Sequence, residues 1–279
     1  MLEILKSLLF GIVEGITEWL PVSSTGHMIL LNEFVTMNVS QEFWDMFLVV
    51  IQLGAILAVV LLYWNKIWPF RKKKPGKSMV KKSIITLWIK IIVACIPAAI
   101  VGVLFDDVLD ALFYNYTCVS IALIVFGIAF IFIENWNKGK IPKINSLKEL
   151  DYRTVMLIGV FQLIAAIFPG TSRSGATIVG ALLLGVSRTV AAEFTFFLAI
   201  PVMFGASLLK IVKFAVSGIA ISGMEVIILL VGMLVAFLVS VFVIRFLMGY
   251  IKKHDFKVFG WYRIVLGILV LVYFFTREI

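Results

Sequence analysis

A chain of 279 residues that is 62% hydrophobic, with a formal charge of +9 and a mean hydropathy of +1.10, is too apolar to fold as a soluble domain. Its basic residues gather in short segments between long apolar runs, which points to membrane topology and away from nucleic acid as a partner. Cys95 and Cys118 lie in or beside apolar runs without metal-ligand spacing and are expected to be packing residues.

The first element, residues 2–35, is apolar but holds Glu14-Gly15-Ile16-Thr17-Glu18-Trp19-Leu20-Pro21-Val22-Ser23-Ser24-Thr25-Gly26-His27. Ionisable groups at membrane depth are costly and are usually kept for function. The segment lacks a small-residue cleavage site and is expected to remain in the protein. It is broken at Pro21, so it is expected to enter and leave the membrane from the outside as a re-entrant hairpin.

Spans follow at 43–65 and 83–105, with a basic connection at 66–82 that includes Arg71-Lys72-Lys73-Lys74. An acidic loop around Asp106, Asp107 and Asp110 leads to a span at 115–135, and a basic loop covers 138–153. Residues 152–187, broken by Pro169-Gly170, form the second re-entrant segment. Spans at 190–213 and 221–249 come next, then Lys252-Lys253-His254-Asp255-Phe256-Lys257 and a last apolar run at 259–275. Each long run is near the ~20 residues needed to cross ~30 Å of hydrocarbon. The positive-inside rule puts the three basic loops in the cytoplasm and both termini outside. Non-helical backbone at depth needs cover from protein or a water-filled cavity. The expected fold is an all-α polytopic membrane protein with six spans and two hairpins; eight full spans are the alternative.

An internal repeat supports the hairpins. Aligning Pro21 with Pro169 puts Gly11 on Gly159, Glu14 on Gln162, and Ser23-Ser24-Thr25 on Thr171-Ser172-Arg173. Shifted by one, 47–51 meets 196–200, and later 124–128 resembles 264–268. One membrane domain, 1–279, then holds repeat 1 at about 1–137 and repeat 2 at about 150–279. Each has one hairpin and three spans, so the halves are inverted relative to each other, an architecture common in transporters.

The second polar island is Pro169-Gly170-Thr171-Ser172-Arg173-Ser174-Gly175-Ala176-Thr177. Polar residues after each proline are expected to open the second arm of each hairpin. Free backbone N–H groups at such a tip bind anions, phosphates above all. Arg173 adds forked donors suited to phosphate oxygens. Glu14 and Glu18, four apart, share a helix face. Two close buried carboxylates either share a proton or hold a cation, and Mg²⁺ or Ca²⁺ suits them, with phosphate completing the shell. Ser24 and His27, three apart, offer a hydroxyl and an imidazole for proton transfer. Singly, these residues have ordinary explanations: a proton relay, a helix cap, a neighbour's hydrogen bond, a neutralising charge. Together, in two matching islands, they point to a site. Gln52 and Glu193 interrupt spans and either line the cavity or bond between helices. Arg263 is expected to snorkel, Ala94, Ala98 and Gly102 to pack helices, and His254 to be solvated.

The two islands resemble the signature motifs of bacterial undecaprenyl-diphosphatases, the family also called bacitracin resistance proteins. The resemblance extends to Ile51-Gln52-Leu53-Gly54-Ala55-Ile56 and Phe197-Leu198-Ala199-Ile200-Pro201. Trp19 stands where Phe is expected. The resemblance implies removal of the terminal phosphate of undecaprenyl diphosphate, recycling of the lipid carrier for wall synthesis, and bacitracin resistance. It also implies a divalent cation and an outward-facing site. The family's catalytic residues fall on Glu14, Glu18, Ser24, Thr25, His27, Ser172 and Arg173, with Ser23, Gly26, Gly170, Thr171 and Ser174 expected to bind substrate. A type 2 phosphatidic-acid phosphatase needs two catalytic histidines, each in its own motif; here His254 lies in a loop without one. The competing class is a transporter or flippase of the phosphorylated carrier. Oligomeric state stays open, a homodimer being one arrangement.

Overall fold

The computed structural model describes residues 1–70 and 79–278, and the backbone there forms ten helices. They are α1 (Leu2–Thr17), α2 (Ser24–Phe34), α3 (Gln41–Ile67), α4 (Lys82–Phe113), α5 (Tyr116–Trp136), α6 (Tyr152–Ile167), α7 (Arg173–Leu183), α8 (Arg188–Val216), α9 (Gly223–Tyr250) and α10 (Lys257–Glu278). Six are long and apolar enough to cross a membrane: α3, α4 over Lys82–Phe105, α5, α8, α9, and α10 over Lys257–Thr276. The chain is a multi-pass helical membrane protein, with apolar side chains such as Leu61, Ile92, Val125 and Phe242 exposed along the spans.

The remaining four helices come in two matched pairs. α1 and α6 have 16 residues each; α2 and α7 have 11 each. At 1.5 Å per residue an 11-residue helix covers about 17 Å, short of the hydrocarbon thickness. Each pair is broken around its proline. Caps fix where several spans start: Ser40 accepts from the Phe43 amide, Asn115 from Cys118, and Ser222 forms a capping box with Glu225.

Two expectations change. The stretch around Asp106, Asp107 and Asp110 is not a loop, because α4 continues through it to Phe113; only the apolar part, to Phe105, is span. The basic run Arg71–Lys74 lies outside the described residues.

Small residues set the helix pairing. A Cβ on Gly11 would meet the Gly232 carbonyl at 2.6 Å, so α1 rides on α9. Gly159 presses onto the Ala94 backbone, so α6 rides on α4. Gly127 and Gly260 face each other, each Cβ position 2.7 Å from the other's carbonyl oxygen, and a Cβ on Gly267 would lie 2.8 Å from the Ser120 carbonyl oxygen, locking α5 on α10. Of the small-residue stripe on α4, Ala94 packs as expected, whereas Gly102 faces open space. Within the main core, Trp19 and Val22 of the first hairpin turn pack among Phe196, Phe197, Ala55 and Ile56. The Trp19 ring meets Phe196 edge-on at 5.3 Å. The turn is thus covered by protein.

Candidate active site

Both hairpin turns end on a serine with left-handed φ, Ser23 at 73° and Ser172 at 69°. Such backbone is costly for a residue with a side chain and tends to mark functional turns. Each serine caps the helix that follows: Ser23 Oγ accepts from the Gly26 amide at 3.4 Å, Ser172 Oγ from the Gly175 amide at 3.1 Å. The caps are 149 residues apart, the prolines 148, so the second turn holds one more residue after its proline. This corrects the register expected from the prolines. Ser23 matches Ser172, and Ser24 matches Arg173 as the first helical residue of its arm.

Those two first residues meet on one carboxylate. Ser24 Oγ donates to Glu18 Oε2 at 2.9 Å, and Arg173 Nη2 donates to Glu18 Oε1 at 2.9 Å. Arg173 Nη1 donates to the Thr195 carbonyl on α8 at 3.0 Å, while its Nε is buried without a partner. Ser174 Oγ donates to the Glu18 carbonyl at 3.2 Å and lies 3.1 Å from Ser172 Oγ. Thr177 Oγ1 donates to the Arg173 carbonyl and lies 2.9 Å from Thr195 Oγ1. The two islands, 155 residues apart in sequence at Glu18 and Arg173, form one hydrogen-bonded cluster.

His27 stands beside this cluster. Its Nδ1 lies 2.7 Å from the Ser23 carbonyl and its Nε2 2.7 Å from the Tyr262 hydroxyl, with the two rings nearly parallel. A carbonyl only accepts, so Nδ1 carries the proton, and in the neutral ring Nε2 accepts from Tyr262. The partner of the Ser24 hydroxyl is therefore Glu18 and not His27. Thr25 and Gly26 occupy the first turn of α2, Thr25 half-buried and Gly26 buried. Thr171 is buried with its hydroxyl unpartnered. Gly170 has φ 91°, and a Cβ there would lie 2.5 Å from the Val119 carbonyl, so the turn admits no side chain at that point.

Glu14 is 1% exposed and its Oε1 has no hydrogen-bond partner. Gln162, its counterpart in the repeat alignment, is equally buried with both amide atoms unpartnered. No cluster of three or more His, Cys, Asp and Glu side chains is found among the described residues. Of the residues expected to hold a cation, Glu14 and Glu18 are both buried here. Such a pair suits a hard divalent cation that takes the rest of its ligands from phosphate and water. Both Glu18 oxygens are already engaged, so the unpartnered Glu14 oxygen is the one that fits such an ion.

Sequence reasoning missed Tyr262, Thr195 and, above all, Arg263. Expected to snorkel, Arg263 is 0% exposed. Its Nη2 donates to the Thr171 and Gly170 carbonyls at 2.7 and 3.0 Å, and its Nη1 to the Pro21 carbonyl at 3.3 Å. Longer bonds reach Leu123 and Ala122 on α5. A single guanidinium ties both hairpin turns together. Its signal in the sequence was an arginine inside an apolar run. Of the two span-interrupting polar residues, Glu193 accepts from Lys66 Nζ at 2.7 Å and Gln52 is half-buried.

The family model of bacitracin resistance protein BacA matches residues 7–269. The chain is 67% identical over 279 residues to the undecaprenyl-diphosphatase of Desulfitobacterium hafniense, covering 100% of this chain and 99% of the relative. It is 67% identical over 273 residues to undecaprenyl-diphosphatase 1 of Clostridium acetobutylicum, with 98% of each covered. Against an undecaprenyl-diphosphatase of Enterococcus faecalis the identity is 60% over 271 residues, with 97% of each covered.

Proposed function

Because the chain belongs to the bacitracin resistance protein BacA family, we propose that it removes the terminal phosphate of undecaprenyl diphosphate, giving undecaprenyl phosphate and inorganic phosphate. The reaction recycles the lipid carrier for cell-wall synthesis and confers bacitracin resistance. The observation that carries the site assignment is the joining of Ser24 and Arg173 through Glu18, one residue from each hairpin.

In this reading Ser24 Oγ attacks the terminal phosphorus and passes its proton to Glu18. The bridging P–O bond breaks, and undecaprenyl phosphate leaves with the electron pair. Water then cleaves the phosphoserine, with His27 and Glu18 handling protons. Arg173, the Ser172 and Ser174 hydroxyls, and the tip amides near Ser23, Thr25, Gly26, Gly170 and Thr171 bind the equatorial oxygens. Phosphoryl transfer depends mainly on such positioning and charge neutralisation. Glu14, with Glu18, would hold Mg²⁺ or Ca²⁺, which when bound neutralises phosphate charge. A variant has water attack directly, with Ser24 only binding phosphate. Trapped phosphoserine would favour the first route; full activity in Ser24→Ala would rule it out.

The finer architecture is part of the proposal. α1–α5 and α6–α10 would be inverted repeats, with termini and active site outside. The matched 16- and 11-residue arms support this. So do the crossings, since Gly11 on Gly232 parallels Gly159 on Ala94. A homodimer is compatible with this arrangement.

The test is phosphate release from undecaprenyl diphosphate by the purified full chain, with and without chelator. Release that falls on chelation and returns with Mg²⁺ or Ca²⁺ is expected. A transporter or flippase releases no phosphate, so a null result with folded protein would favour that class.

A further inference from the structure

A second charged cleft, of about 440 Å³, lies apart from the site above, where the end of α3, the start of α4 and the segment before α6 meet. Four lysines line it, Lys66, Lys81, Lys90 and Lys148, together with the hydroxyls of Ser83 and Thr86. Lys66 is ion-paired with Glu193 at 2.7 Å. Among the described residues the other three have no carboxylate within ion-pairing distance.

Lys90 is the telling residue. It sits eight residues into α4, roughly 12 Å along the helix, and is 8% exposed. Its ammonium makes one hydrogen bond among the described residues, a long one of 3.3 Å to the Lys148 carbonyl. A largely buried lysine whose ammonium faces a cleft with so little hydrogen bonding is expensive. An anion in the cleft would supply what the protein does not. The nearby acids do so only in part: Glu193 is taken by Lys66, Glu149 bonds to Asn145 and Ser146, and Asp151, which caps α6, reaches Lys90 through space without an ion pair.

Height in the membrane narrows the anion's identity. The end of α3 carries an exposed aromatic cluster, with Trp64 stacked on Trp68 at 4.6 Å and Trp68 meeting Phe70 at 5.4 Å. Exposed tryptophans of this kind mark the headgroup level. The Trp88 indole donates to the Ile67 carbonyl at 2.8 Å, fixing α4 against that end. Basic pockets between spans at this level receive lipid headgroups. We propose that the cleft binds the phosphate of an anionic phospholipid headgroup.

The test uses native mass spectrometry of the detergent-purified full chain, titrated with phosphatidylglycerol or with phosphatidylcholine of the same acyl chains. Wild type should retain phosphatidylglycerol preferentially. Lys90→Met should weaken that binding by about fivefold or more, and Lys81→Gln/Lys148→Gln, both on the rim, by roughly tenfold or more. The rim variant keeps the test open if Lys90→Met fails to fold, and its phosphate release in plain detergent should match wild type. Equal retention of the two lipids, or unchanged binding in the rim variant, would overturn the proposal. Displacement of the lipid by millimolar inorganic phosphate would overturn it too, by making the cleft a site for free phosphate.

Discussion

Glu18 gives one oxygen to each hairpin, Oε2 to Ser24 and Oε1 to Arg173. Glutamine at this position keeps the shape but can neither take a proton nor balance the guanidinium. Glu18→Gln should lower kcat by about 10²–10⁴-fold, and Glu14→Gln by less, since the carboxylate hydrogen bonds of Ser24 and Arg173 go to Glu18; initial rates of phosphate release compare them. Arg173 spreads its donors over Glu18 and the Thr195 carbonyl, which a lysine ammonium cannot reproduce. Arg173→Lys should cost about 10²–10³-fold in kcat while circular dichroism and detergent elution stay as in wild type. The polar residues at the centre of the cluster were legible because ionisable and hydroxyl groups stand out in an apolar run. Tyr262 was not, because a tyrosine in a span is ordinary and its link to His27 bridges 235 residues. Removing that hydroxyl leaves His27 Nε2 without its donor, so Tyr262→Phe should lower kcat by about fivefold to tenfold with KM little changed.

At the level of elements, the turn chemistry and the helix crossings carry separate costs. Ser23 both caps α2 and holds φ 73°. Ser23→Ala removes the cap and keeps the unfavourable backbone. Ser23→Gly relaxes the backbone, and glycine is a tolerable cap. The alanine variant should therefore be less stable than the glycine variant by about 1 kcal/mol, read by thermal unfolding in detergent. At the crossings, Gly159→Ala forces a methyl into the Ala94 backbone and should cost about 1–3 kcal/mol. Gly102→Ala meets nothing within 4 Å and should be neutral or mildly stabilising. The six long spans and the breaks in the two shorter helix pairs were legible from apolar length and the prolines. The cap register was not, since proline marks a turn without fixing how many residues follow before the next helix. The acidic stretch after residue 105 misled for a related reason: charge reports where a helix leaves the hydrocarbon, not where it stops.

For the molecule as a whole, the question is what holds two hairpins from opposite halves of the chain in one cluster. Arg263 does so from α10, donating to Pro21 of one turn and to Gly170 and Thr171 of the other. Among the described residues its hydrogen bonds all go to backbone carbonyls, with the Phe126 ring 5.9 Å away. Apolar length gave the spans, but this link did not follow from the arginine in the last apolar run, because an arginine near a membrane end can snorkel instead. Arg263→Met would leave those carbonyls unpaired at depth, at a cost of about 3 kcal/mol or more. The loss should be shared: hydrogen exchange should rise together at residues 18–26 and 168–176, with kcat falling although no group facing the phosphate has changed. Arg263→Lys, with three donors in place of five, should fall between. A rise confined to one turn would mean that Arg263 supports that hairpin alone, and that the two halves of the site are aligned by helix packing instead.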